Sequence, residues 1–235
     1  MLAIIYLLLA THITILSVTL YLHRSQAHRS VTFHPVIAHL MRAWLWLTTG
    51  MITREWVAVH RQHHARTDES GDPHSPHVHG IWQVVFKGAW LYTRAAQDRN
   101  MIHSLGRGCP DDWIERVLYT PHSRLGIGIL LLINVILFGA LGVLIWGIQM
   151  IWIPLWAAGV VNGIGHWWGY RNGETRDRSR NIFPIGIWIG GEELHNNHHL
   201  SPASARLSLK PWEFDIGWLW IRLLCSLRLA ELHRA

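Results

Sequence analysis

Asn162-Gly163-Ile164-Gly165-His166 closes the most apolar part of the chain, and His195-Asn196-Asn197-His198-His199 follows a polar loop. These 38 residues hold four histidines. Upstream, His60-Arg61-Gln62-His63-His64 repeats the H-x-x-H-H spacing, and His23 and His28 stand nearer the N-terminus. Of 18 histidines in the chain, nine fall in these clusters. At 235 residues a single domain is expected. Half the residues are hydrophobic, 15% are charged and 15 are Trp, a residue that concentrates where hydrocarbon meets water. The composition is that of a membrane protein.

The formal charge of +6 gathers in the histidine-rich segments and around residues 171–180. In a membrane protein such charge marks the cytoplasmic face, and without a basic-aromatic motif nucleic-acid binding is excluded. Cys109 and Cys225 form no C-x-x-C, so neither a disulfide framework nor a zinc ribbon is indicated.

The expected fold is an all-α integral membrane protein with three transmembrane helices, or four, interfacial helices and a cytoplasmic histidine-rich domain. Residues 2–22 form an apolar run long enough to cross a bilayer, with no basic leader or cleavage site, so a retained span is expected. No Lys, Arg, Asp or Glu occurs between Arg124 and Arg171, which predicts spans near 125–146 and 150–168, turning around Gly147, Gln149 and Pro154. The tip of that hairpin has no basic residue and both open ends are Arg-rich, so the ends face inward and the N-terminus outward. If all three histidine groups share one site, residues 34–52 must lie in the interface or against the protein. Residues 81–92 read as a membrane-surface segment, and 212–230 as an interfacial amphipathic helix with Ile216, Leu219, Trp220, Leu223, Leu224 and Leu227 in its stripe. The histidine-rich parts are 23–80 and 166–210.

Positions i, i+3 and i+4 of a helix share a face, so His60, His63 and His64 are expected to converge, as are His195, His198 and His199, and Asn162 with His166. His23 and His28, five apart, diverge by about 140° on a regular helix. They require a local break or two separate metals. Nine imidazoles exceed what mononuclear zinc or haem needs, and the set lacks the carboxylates of soluble di-iron bundles. His74, His77 and His79 lie in a Pro-rich loop and read as structural, as do His12, His39, His103, His122 and His233.

In order and spacing, His23-Arg24-Ser25-Gln26-Ala27-His28, His60-Arg61-Gln62-His63-His64 and His195-Asn196-Asn197-His198-His199 resemble the three histidine boxes of the membrane fatty-acyl desaturases, acyl-CoA delta-9 type. Asn162 to His166 resembles that family's N-x-x-x-H segment, with lesser matches at Glu55-Trp56, Asp72-Pro73-His74 and Gly191-Glu192. The resemblance runs from about residue 11 to residue 220. It implies two irons held by His23, His28, His60, His63, His64, His166, His195, His198 and His199, with Asn162 reaching one through water. Asp72 and Glu192 are the implied orienting groups behind the imidazoles. The family has four spans, whereas one apolar run precedes His23 here.

The implied activity is O₂-dependent insertion of a double bond into an acyl chain carried by CoA, acyl carrier protein or a lipid. A separate donor (ferredoxin, rubredoxin, or cytochrome with its reductase) is the implied electron source. The implied setting is a bacterial inner membrane, amid membrane lipids, with the active site on the cytoplasmic side. Trp, Ile and Leu of the spans and of 81–92 are expected to line the acyl tunnel, and Arg24, Arg54, Arg171, Arg176 and Arg178 are candidate phosphate partners. A hydroxylase or acetylenase on the same metals is the first alternative, and a membrane metal or haem electron carrier the second.

Overall fold

The computed structural model describes residues 1–233 and is mostly helical. Helix α1 (Leu2–Ser17) is predominantly apolar and runs without a break into Val18–Ala27, whose turns are π-helical. The wider turn closes with i→i+5 hydrogen bonds, as from His28 N–H to the His23 carbonyl at 3.0 Å. The 26 residues Leu2–Ala27 measure about 39 Å at helical rise, more than the ~30 Å hydrocarbon core. Helix α2 (Pro35–Thr49) begins with His34 accepting from Val36 N–H and ends at Gly50 in the left-handed region. Its 15 residues measure about 22 Å, short of a crossing, and it packs on α1 and on α7 (Ser123–Phe138).

Next come α3 (Thr53–Arg66), which carries the second cluster, the short α4 (Pro76–His79), α5 (Ile81–Ala95) and α6 (Arg99–Leu105). Helix α5 buries Val84, Gly88 and Leu91 and exposes Trp82, Phe86 and Trp90, one aromatic per turn along its outer face. Its inner face lies against the π-helical Pro154–Ile164, which continues α8 (Ala140–Ile153). Only glycine permits this approach: a Cβ at Gly88 would sit 2.5 Å from the Ala158 carbonyl oxygen.

The hairpin of α7 and α8 turns at Gly139, not at 147–154 as the sequence suggested. Gly139 adopts φ 60°, ψ −137°, a conformation open to glycine, amid residues too apolar to announce a turn. Pro154 does not end the helix: it lies inside the continuous run Ala140–Ile164, where the turns change from α- to π-helical. Gln149 is buried and accepts from Asn134 Nδ2 at 2.7 Å, while Tyr6 O–H donates to Asn134 Oδ1 at 2.6 Å. This polar network ties α1, α7 and α8 together within their apolar surroundings. Among the described residues, Leu2–Ala27 and Ala140–Ile164 are long and apolar enough to cross a membrane, and Ser123–Phe138 is a shorter apolar helix.

Helix α9 (His195–Leu200) carries the third cluster, and α10 (Ile216–Ser226) is capped by Asp215, which accepts from Trp218 N–H. Helix α10 buries Gly217 and Ile221 and exposes Leu219, Trp220 and Leu223. Two small sheets add to the helices: β1 (Val31–Phe33) pairs antiparallel with β4 (Ala230–Leu232), and β2 (Ile185–Gly186) pairs parallel with β3 (Phe214–Asp215).

Arg24 corrects another expectation. It is 1% exposed and donates to both Asp215 oxygens, at 3.0 and 2.9 Å, and to the Ala205 and Gly190 carbonyls. With every neighbouring acceptor engaged, it pins the third-cluster region and α10 to the end of α1 and has no face left for a phosphate.

Candidate metal centre

The π-helical turns decide how the first two histidines meet. On a regular helix they diverge; with i→i+5 bonding the rings of His23 and His28 lie 4.8 Å apart. They join His60, His64 and His198 in a group whose ligand atoms all lie within 4.8 Å of one another. His63, His166, His195 and His199 form a second such group. The nine histidines of the sequence clusters therefore gather into a set of five and a set of four.

The H-x-x-H-H triplets do not converge as units. On α3, His60 and His64 face the first group and His63 the second; on α9, His198 faces the first and His195 with His199 the second. One helical turn separates i from i+4, so that pair shares a face, and the i+3 residue turns to the other side. The spacing thus builds two adjacent sites from two helices. Asn162 lines the cavity described below, one turn ahead of His166.

The ring nitrogens show which atom each site uses. Nε2 of His23 lies 3.1 Å from Nε2 of His198, which lies 3.0 Å from Nε2 of His64; His28 and His60 approach at 2.8 Å, and His166 and His195 at 2.9 Å. Metal–nitrogen bonds of about 2.1 Å meeting at right angles would put ligand atoms about 3.0 Å apart. On the far side of the rings, Nδ1 of His23 faces Glu192 at 2.8 Å, His63 faces Asp72 at 3.0 Å, His166 faces Asp68 at 3.0 Å and His199 faces Asp177 at 2.9 Å. A carboxylate there fixes the Nδ1–H tautomer and leaves Nε2 with a free lone pair. Nε2 of His63 and of His199 is buried without a hydrogen-bond partner, as an atom awaiting a metal would be. The donor set fits two metal ions.

Burial pushes His28, His60, His64, His195 and His198 well below the ordinary imidazole range, and neighbouring imidazoles push the same way. Burial likewise brings His199 down to about 4 against the opposing pull of Asp177. Neutral imidazole is the ligand form. Burial alone would raise the carboxyls of Asp68, Asp72, Asp177 and Glu192, yet their histidine and hydrogen-bond partners hold all four below the ordinary range.

Asp72 and Glu192 stand behind imidazoles, where the sequence placed its orienting groups. Asp68 and Asp177 do the same and carry no sequence signal, since each lies in a polar loop with no periodicity to mark it. Asn196 and Asn197, between the histidines of α9, hold the loop above: Asn196 Oδ1 accepts from Asn172 N–H at 2.9 Å, and Asn197 Oδ1 from Asn172 and Asn181 side chains. His77 and His79 brace backbone carbonyls, of His166 at 2.8 Å and of Asp72 at 3.0 Å. His74 is buried beside His63 and Asp72, with Nε2 unpartnered.

A cavity of about 520 Å³ opens against the histidines, with His23, His60 and His195 in its wall. Val18, Ile127, Met150, Ile153, Ala157 and Val161 make it apolar, and Thr93, Gln97, Arg99 and Arg124 form an exposed polar rim. The expected tunnel lining needs correction. Trp56 is its one tryptophan, and α5 contributes Ala89, Tyr92 and Thr93, because its large aromatics turn outward.

Residues 1–220 match the family described as fatty acid desaturase. The chain belongs to that family. Delta-9 acyl-lipid desaturase 2 of Arabidopsis thaliana is 31% identical over 215 residues, 88% of this chain and 66% of that protein. Delta-9 acyl-lipid desaturase 1 of the same plant is 32% identical over 92% of this chain and 70% of its own length. The sn-1 stearoyl-lipid 9-desaturase of Anabaena variabilis is 29% identical over 92% of this chain and 77% of its own length. This desaturase-family chain therefore spans about two thirds of the length of the Arabidopsis relatives.

Proposed function

We propose that the chain is an O₂-dependent fatty-acyl desaturase with a nine-histidine di-iron site, supplied with electrons by a separate donor protein. The observation that carries this is the coincidence of two adjacent buried imidazole groups with an apolar cavity that opens onto them. The overall reaction is –CH₂–CH₂– + O₂ + 2 e⁻ + 2 H⁺ → –CH=CH– + 2 H₂O. His23, His28, His60, His64 and His198 would hold one iron, and His63, His166, His195 and His199 the other, with Asn162 as the candidate to reach one through water. The two irons supply O₂ activation and the removal of two hydrogens from adjacent carbons.

The protein's own part is orientation. Asp68, Asp72, Asp177 and Glu192 fix the imidazoles at Nδ1. The apolar wall from Val18 to Val161 excludes water and holds an acyl chain past the histidines, so that the reacting carbons are chosen by position. The continuous helices Leu2–Ala27 and Ala140–Ile164 cross the membrane, with α7 completing the hairpin. The Arg-rich segment 171–180 keeps the metal groups on the cytoplasmic side.

The test is mass-spectrometric analysis of cellular fatty acids after expression in a host with compatible redox partners. A new monounsaturated chain, lost in His198→Ala and under iron limitation, is expected. Fractionation of the lipid, CoA and carrier-protein pools then identifies the head group. A hydroxylated or acetylenic product would overturn simple desaturation while keeping the site. Haem in the purified protein would overturn the site itself.

A further inference from the structure

The segment from Glu174 to Ser179 covers the second histidine group, and its side chains alternate. Arg176 and Arg178 are exposed, Asp177 turns inward to His199 Nδ1 at 2.9 Å, and Ser179 is fully buried. One side chain therefore separates the outer arginines from a metal-group imidazole. Beside them Trp167 and Trp168 are exposed at 50% and 65%, directly after His166 in sequence. The Trp167 ring stacks on His77 at 5.3 Å, the His77 Nε2–H donates to the His166 carbonyl at 2.8 Å, and Arg178 Nη1 lies 3.1 Å from His77 Nδ1. Arg171 and Glu174 neutralise one another at 3.3 Å, which leaves Arg176 and Arg178 as the outward charge of the segment.

An aromatic centre flanked by arginines is the make-up of a transient protein interface. Here it lies one side chain, Asp177, away from the second metal group. Resting on the desaturase reading, which requires two electrons per double bond, the geometry points to this patch as the docking surface for a small acidic one-electron carrier protein. Two reduced carriers dock in turn, each oxidised by one electron, and the pair supplies the two electrons of the overall reaction. The positive arginines steer the acidic carrier, and the His77–Trp167 stack ties the patch to the backbone of His166.

The test uses the full iron-loaded chain in zwitterionic nanodiscs, with plant-type [2Fe–2S] ferredoxin, its reductase and NADPH as the donor system. Arg176 makes no hydrogen bond or ion pair among the described residues, so Arg176→Glu changes charge alone. At low salt the half-saturating ferredoxin concentration is expected to rise about fivefold, the gap closing as screening shortens the reach of the charge to about 8 Å near 0.15 M. Arg176→Lys should match the parent, and Glu174→Lys should lower the half-saturating concentration. Product per chain after anaerobic dithionite reduction and one exposure to O₂ should be unchanged in all three. An unchanged ferredoxin dependence in both charge variants would overturn the proposal. So would a shift in acyl-substrate half-saturation instead, which would make the arginines a head-group site, or ferredoxin that fails to drive a parent active after dithionite. No product from the chemically reduced parent would overturn the desaturase reading, and this one with it.

Discussion

Asp177→Asn is the sharpest probe of how the second metal group is held. Asp177 Oδ1 accepts from the Thr175 hydroxyl at 2.7 Å and from Ser179 N–H at 2.9 Å, while Oδ2 accepts from His199 Nδ1–H at 2.9 Å. An asparagine in this pocket must turn its one oxygen toward the two donors. Its NH₂ then faces His199 Nδ1, two donors meet, and the ring changes to the tautomer protonated at Nε2. That tautomer has no lone pair for the metal. Loss of an orienting carboxylate costs 10- to 100-fold in metal affinity as a rule, about 1.4 to 2.7 kcal/mol, and the forced tautomer places Asn at the upper end of that range. Asp177→Ala frees Nδ1 without opposing it, so a smaller loss is expected. The assay is iron per chain during a chelator titration, with thermal unfolding as a control for folding. Asn should release one iron at far lower chelator than the parent, with Ala between them. Equal retention in all three, or a greater loss in Ala than in Asn, would refute the tautomer argument.

One alanine inserted after Ser25 sets the first two histidines six apart, too far for the π-helical turn to bring onto one face, and should cost the first metal while the second remains, as counted by metal analysis. Gly142→Ala would place a Cβ 2.1 Å from the Asn134 carbonyl oxygen, so α7 and α8 must separate; about 1–3 kcal/mol of stability should be lost, read as a lower unfolding temperature in detergent. The metal-free protein should lose stability steadily as pH falls below 6.5. Its buried histidines have folded values below that figure, so the unfolded chain binds more protons there; Asp68, Asp72 and Asp177, also depressed, extend the loss below their ordinary 3.8. Stability that stayed flat between pH 7 and 4 would contradict these shifts. Ala157→Trp, filling the cavity wall away from the histidines, should abolish product while iron content is retained.

Much of this was legible in the sequence, for physical reasons. Histidines at i, i+3 and i+4 are forced by helix geometry into adjacent positions, so clusters that pair across segments announce a metal centre. The choice between α- and π-helical turns at Val18–Ala27 is not local, since the same residues satisfy either hydrogen-bond pattern until the other histidine segments pack against them. That is why His23 and His28 looked divergent. Residues with two chemistries also misled. Arg24 reads as a basic surface residue and is an internal clamp because Asp215, far along the chain, folds back onto it. Gly139 sits unmarked in an apolar run, whereas Gly147 and Pro154 resemble turn residues and lie within a continuous helix. Asp68 and Asp177 were invisible because a carboxylate behind an imidazole is placed by tertiary contact and by no periodicity.

The central claim is that nine imidazoles hold two irons in a chain that desaturates acyl groups, and metal analysis of the purified protein tests it most directly. The account predicts two irons per chain and no haem absorption band. A single zinc, a haem, or a chain that keeps no metal through purification while remaining folded would contradict it.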